Sequence, residues 1–227
     1  MIKGRLSNIL KWARMLFGKI VVVLLLLSFG TPILAASAPS LPPVRGGRLP
    51  IISLPIPKIP NEKTYLGLSG DGFFKISQIK TQAVLIKIFN LYCPICQSIA
   101  GTMAELYDQI ENNPNLKDKI KLIGIGAGNS PLEVEVFKQN HQIPFPIFPD
   151  EDFKIHKALG EVRTPFFIAV KMERDGPPEI VHTHLGGLTE VGAFLDWMLE
   201  AYGIDQEELL KKEKIATSDS EPILIKR

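Results

Sequence analysis

The stretch Phe89-Asn90-Leu91-Tyr92-Cys93-Pro94-Ile95-Cys96 decides how this chain is read, because it holds the only two cysteines among 227 residues. It follows an apolar run, Ala83 to Phe89, whose near-continuous hydrophobicity predicts a strand buried on both faces. After it, Ile95, Ile99, Met103, Leu106 and Ile110 recur at helical spacing and predict a helix from Cys93 to about Asn112. The cysteines therefore fall where a strand hands over to a helix. A helix N-terminus lowers thiol pKa through its unpaired N–H groups and its dipole, and the thiolate is the nucleophile. One helical turn separates Cys93 from Cys96, so their sulfurs can meet on one face. Pro94 suits the first turn, where its missing N–H would have no partner.

Residues 1–38 carry Lys3, Arg5, Lys11, Arg14 and Lys19 and no acid; taking those five charges from the chain's +2 leaves −3 for the remainder. That balance gives no basic surface for nucleic acid. The basic start, the apolar run Ile20–Leu27 and the small residues Ala35-Ala36-Ser37-Ala38 read as an export signal. Two forms stay open: a signal peptide cleaved after Ser37, or a retained membrane anchor over Ile20–Ala36. Both place the rest of the chain outside the cytoplasm, in the periplasm or anchored to the membrane. An oxidising compartment permits structural disulfides, but a loop this short constrains the unfolded chain little. A redox-active pair is expected instead of a staple.

Residues 39–61 hold prolines 39, 42, 43, 50, 55, 57 and 60 and the pair Gly46-Gly47, which reads as a proline-rich linker. A globular pattern follows over 62–203, and 204–227 read as a charged tail. Within the globular part, Ser69-Gly70-Asp71-Gly72 is a turn before a short strand at Phe73–Ile76, and Ser77 is placed to cap a helical turn. Lys121–Gly126 is a second core strand. Ser130-Pro131-Leu132-Glu133 is a capping box opening a helix to about Asn140. Asp150 is expected to cap a short helix that Gly160 stops. Phe166–Met172 and Glu179–Leu185 form a hairpin, and a last helix spans about Thr189–Tyr202. The order implies an α/β fold, a mixed central sheet flanked by helices.

With Cys-x-x-Cys at a strand–helix junction and Thr164-Pro165 leading the hairpin, the chain resembles the thioredoxin fold. The turn at Ser69–Gly72 with Ile76-Ser77, and Ile143-Pro144-Phe145-Pro146-Ile147 with Pro149-Asp150, narrow the resemblance. They look like the exported TlpA/ResA-type thiol–disulfide oxidoreductases and their peroxiredoxin-like (AhpC/TSA) neighbours. The resemblance covers about 62–203, with an N-terminal β extension and a mid-domain insertion. It implies a cis peptide at Thr164-Pro165 beside the cysteines, and a substrate surface from Tyr92, Pro94, Ile95, Thr164 and Pro165. It also implies reduction of protein disulfides, with apocytochrome c among the substrates of such proteins, and a membrane electron donor. No cofactor is implied. Two departures stand out. Tyr92 occupies a position that is often tryptophan, and Lys87 occupies one where thioredoxins carry a buried acid. Lys87 either lowers a cysteine pKa by its charge or snorkels to solvent from a strand end.

The spacing assigns Cys93 as attacking thiolate and Cys96 as the resolving thiol of the Cys93–Cys96 disulfide. Other readings remain. A thiol peroxidase of the peroxiredoxin kind would want threonine where Asn90 stands, and an arginine for which only Arg163 offers itself. A disulfide-forming oxidase would use the same pair. A metal-binding module would add His182 and His184, which alternate onto one strand face, to the two cysteines.

Overall fold

A computed structural model describes residues 40–188 and 190–204. The expected signal or anchor over 1–38 and the tail beyond Ile204 lie outside the described residues. In chain order the elements are β1 Ser53–Pro55, α1 Pro60–Tyr65, β2 Phe73–Lys75, a 3-10 turn Ile76–Gln78, β3 Ala83–Phe89, α2 Pro94–Ser98 and α3 Ala100–Glu111. There follow β4 Ile120–Ala127, α4 Pro131–Asn140, β5 Ile147–Asp150, α5 Lys154–Ala158, β6 Phe166–Lys171, β7 Glu179–Leu185 and α6 Val191–Tyr202.

The central sheet runs β5-β4-β3-β6-β7. β3 lies in the middle, parallel to β4 and antiparallel to β6, and every one of its residues is buried. That explains its apolar run, interrupted only by Lys87: a strand covered on both faces does not alternate polar with apolar. Ala83, Leu85 and Phe89 face a core with Met103, Leu106 and Ile110 of α3, Phe137 of α4, and Phe194 and Met198 of α6. Val84, Ile86 and Ile88 face a second core on the opposite side, with Phe74, Leu159 and Val162. Gly124 of β4 is small by necessity, since a Cβ there would lie 2.6 Å from the Ile147 side chain on β5.

The proline-rich stretch is not a free linker. From Leu49 onward it belongs to the fold: Leu49, Ile52 and Leu54 are buried in the second core, and β1 pairs antiparallel with β2. The reason is the apolar residues set between the prolines. Proline cannot donate to a ladder, but at a strand edge it costs nothing there, and Pro55 sits at the end of β1. Leu41 and Pro42 also pack against Gly160, where a Cβ would come within 2.4 Å of the Pro42 nitrogen.

Two helices differ from expectation. The helix after Cys93 is split into α2 and α3 at Ile99, which has non-helical dihedrals (φ −93°, ψ 6°). The Ser98 hydroxyl donates to the Ile95 carbonyl at 3.0 Å, and such back-bonding loosens a helix locally. Asp150 does hold the start of the short α5, but from the end of β5: its two oxygens accept from Ile155 N–H at 2.9 Å and His156 N–H at 2.8 Å. The Ser130–Glu133 capping box forms as read, the Glu133 carboxylate accepting from Ser130 N–H at 2.7 Å.

Candidate active site

β3 delivers the chain to the carboxyl end of the sheet, and a short loop turns it into α2. Four side-chain hydrogen bonds fix that loop. Asn90 Oδ1 accepts from Tyr92 N–H and Asn90 Nδ2 donates to the Ala127 carbonyl, each at 2.8 Å. Asn129 Oδ1 accepts from Leu91 N–H at 2.9 Å, and Gln97 Nε2 donates to the Leu91 carbonyl at 2.7 Å. None of these roles was read from the sequence. The available signal was an asparagine at the end of each of two neighbouring core strands, where such residues satisfy turn backbone.

Cys93 is the N-cap of α2, and its sulfur accepts from Cys96 N–H at 3.4 Å. Its thiol faces the Thr164 carbonyl at 3.5 Å. Partial burial pushes the Cys93 thiol up, but hydrogen bonds from the Cys96 thiol and N–H, from Thr164 and from Ile95 outweigh it. The net effect holds Cys93 below the usual thiol range. Cys96 is fully buried, and burial together with its hydrogen bond to Cys93 pushes it up to about 12. Both cysteines are free thiols. One thiol is thus partly accessible and made easier to ionise, and the other is buried and made harder to ionise, one turn deeper.

Thr164-Pro165 is cis, and the Pro165 carbonyl accepts from Gly186 N–H at 2.9 Å. Thr164 is half-buried and Pro165 buried. Tyr92, 70 % exposed, donates its hydroxyl to Glu133 at 2.5 Å, tying the loop to the first turn of α4. Pro94 and Ile95 are exposed on α2. Every residue expected near the cysteines except Lys87 is therefore at or next to one surface around Cys93.

A family model of the AhpC/TSA family matches residues 58–177. The chain belongs to the AhpC/TSA family. A thiol–disulfide oxidoreductase ResA from Halalkalibacterium halodurans is 25% identical over 116 residues, 51% of this chain and 61% of that relative. The match therefore spans less than two-thirds of the relative's length. Among solved structures, a candidate thiol:disulfide interchange protein DsbE from Chlorobium tepidum superposes with a TM-score of 0.51 at 16% identity, over 70% of this chain and 97% of the other. The thioredoxin domain of a thiol–disulfide oxidoreductase from Bacteroides vulgatus gives 0.50 at 12% identity, over 69% and 99%. The AhpC/TSA chain has the thioredoxin-like fold of these neighbours.

Three residues of this AhpC/TSA member behave differently from what their types suggest. Lys87 does not snorkel: it is 2 % exposed on the central strand, with its ammonium 6.0 Å from the Phe137 ring centroid. Burial pulls it down to about 8, while the charges of Cys96 and Cys93 hold it up. His182 and His184 share a face of β7 but turn to α6 and the following loop. His182 meets Trp197 edge-on at 4.2 Å, and His184 Nε2 lies 3.1 Å from the Gly187 carbonyl. Among the described residues no three His, Cys, Asp or Glu side chains gather to hold a metal ion, so the four-ligand arrangement does not form. Arg163 is exposed, and Asn90 is occupied with loop backbone.

Proposed function

We propose that this protein is a thiol–disulfide oxidoreductase acting on protein disulfides through Cys93 and Cys96. The observation that carries it is the division of labour between the two thiols. Cys93 is accessible and held below the usual range, while Cys96 is fully buried and pushed up to about 12. In the reductive direction, the Cys93 thiolate attacks a substrate disulfide, forming one S–S bond and breaking another, and releases the first substrate thiolate. Cys96 then loses its proton and attacks the mixed disulfide at Cys93. The Cys93–Cys96 disulfide forms, and the second substrate thiolate leaves and is protonated. Tyr92, Pro94 and Ile95 supply the exposed contact surface, and the backbone at Thr164-Pro165 lines the approach to Cys93.

The same reading includes an exported domain. The basic, then apolar, residues 1–38 support a signal or anchor, and the charged residues beyond 204 a tail. An exported reductase needs electrons from across the membrane, so a membrane dithiol donor is part of it, and an apocytochrome c is one substrate of the right chemistry. The deciding experiment equilibrates the protein with glutathione or dithiothreitol buffers and reads its reduction potential. A value near or below about −250 mV marks a reductase; one nearer about −120 mV marks a disulfide-forming oxidant. A pair that exchanges with neither buffer ends the reading.

A further inference from the structure

Among the described residues, Lys87 is the one charged side chain that is both buried and acted on by the two cysteines, and it sits mid-way along a strand buried at every residue. Its neighbours are apolar on three sides. β4 presents Gly124 and β6 presents Phe167 at the paired positions, and α4 presents Phe137. The histidines in this region lie behind aromatic rings, His141 against Phe137 and His184 against Phe167. From α2 the titratable groups acting on Lys87 are Cys96 and Cys93. Among the described residues no carboxylate forms an ion pair with Lys87.

A buried ammonium needs a counter-charge, and here the only candidates among these neighbours are thiolates, which exist only in the reduced protein. We propose that Lys87 is the proton store of the Cys93–Cys96 couple: its amine takes up a proton when the disulfide is reduced and releases it when the disulfide forms. This deepens the thiol–disulfide reading and rests on it. The balance is complete with a partner dithiol as reductant. The partner gives two electrons and two protons and becomes a disulfide. The Cys93–Cys96 bond breaks, one proton goes to Cys96, the second to the Lys87 amine, and Cys93 remains a thiolate facing the new ammonium. In the disulfide form both thiolates are gone, burial acts on Lys87 unopposed, and the amine is the favoured state. The charge that burial disfavours is carried only when the pair is reduced.

The test is the equilibrium constant for reduction against a reference dithiol, followed with pH in the wild type and in Lys87→Met. Uptake of one extra proton makes that constant change by up to about tenfold more per pH unit in the wild type than in the variant around pH 7–8. The two profiles run parallel at pH low enough for Lys87 to be protonated in both states. Parallel profiles at every pH overturn the proposal while leaving the thiol–disulfide reading intact; failure of both proteins to equilibrate overturns that reading itself. A second measurement needs no variant: the side-chain carbon resonance of Lys87, titrated in the oxidised and reduced wild-type protein. A higher midpoint in the reduced form is the expected result, and equal midpoints refute the store.

Discussion

Asn129 and Leu91 are joined across 38 residues, the Asn129 Oδ1 accepting the Leu91 N–H at 2.9 Å. This bond pins the loop that places Cys93 at the head of α2. Asn129 is fully buried, and its Nδ2 lacks a partner among the described residues, so the side chain is kept in the core for its oxygen alone. Asn129→Ala should cost about 1–2 kcal/mol of stability through the orphaned loop N–H. It should also slow alkylation of Cys93 at neutral pH. Urea unfolding and iodoacetamide kinetics check both, and an unchanged alkylation rate would leave Asn129 with a structural role only.

The two thiols should separate by pH. Cys93 lies below the ordinary thiol value and Cys96 at about 12. Brief iodoacetamide treatment of the reduced protein at pH 8 should therefore give a single adduct, on Cys93, as read by peptide mass spectrometry. A first adduct on Cys96 would reverse the assignment of attacking and resolving residues.

Substitution should split the two roles. Cys93→Ser should show no turnover of a protein disulfide. Cys96→Ser should still attack and then stall as a covalent mixed disulfide, visible on a non-reducing gel and released by dithiothreitol. Full activity in both variants would be incompatible with the mechanism.

Lys87 should destabilise the fold at neutral pH. Its ammonium is at about 8 in the folded protein and at 10.5 when unperturbed. Between those values the unfolded chain binds a proton that the folded chain has released. Stability therefore rises with pH across the window, and the penalty is full below it. The separation corresponds to about 3 kcal/mol. Lys87→Met, similar in length and apolar, should be more stable than wild type by about that amount at pH 7. The advantage should shrink toward pH 10.5 in urea titrations of the reduced proteins. An advantage over wild type no larger at pH 7 than at pH 10 would refute the burial cost.

The proline-rich stretch should matter to folding. Leu54 of β1 is fully buried in the core shared with Phe74 and Ile168. Leu54→Ala should cost about 2–4 kcal/mol, as for any large core side chain cut back to a methyl group. A thermal midpoint unchanged by the substitution would restore the free-linker reading.

The mixed sheet and the strand–helix junction were legible because they depend on local pattern. A seven-residue run with six apolar residues and a helical stripe each specify an element without reference to anything distant. The place of Thr164 beside Cys93 came through the resemblance, since no local pattern brings residues so far apart in sequence together. The stretch 39–61 reads as a linker from its prolines, yet Leu49, Ile52 and Leu54 between them, which follow no helical or strand period, fix it to the core. The fixing of the loop by Asn90 and Asn129 escaped for a different reason. An asparagine's partner is decided by which backbone groups a turn leaves unpaired, and that is a tertiary matter. Lys87 is the sharpest case: a lysine in an apolar run is usually at a strand end with its head in water, whereas here neighbouring strands flank it on both sides.

A sheet of five strands has two outer rims, and a rim with unpaired amides invites another chain to add on. One rim here, β5, is four residues long and contains Pro149, so it offers little to add to. The other, β7, is longer, and residues 46–49 lie along its first half. Gly46 N–H donates to the Ile180 carbonyl at 2.7 Å, Ile180 N–H to Gly47 at 2.9 Å, and Leu49 N–H to Pro178 at 2.9 Å. Beyond Ile180 the rim carries His182, Thr183 and His184, a polar run poorly suited to stacking with copies of itself. Residues 46–54 thus cover part of this rim as well as filling the second core. A chain shortened to begin at Pro50 would keep β1 yet lose this cover, and its cost would be read in solubility before it was read in melting temperature.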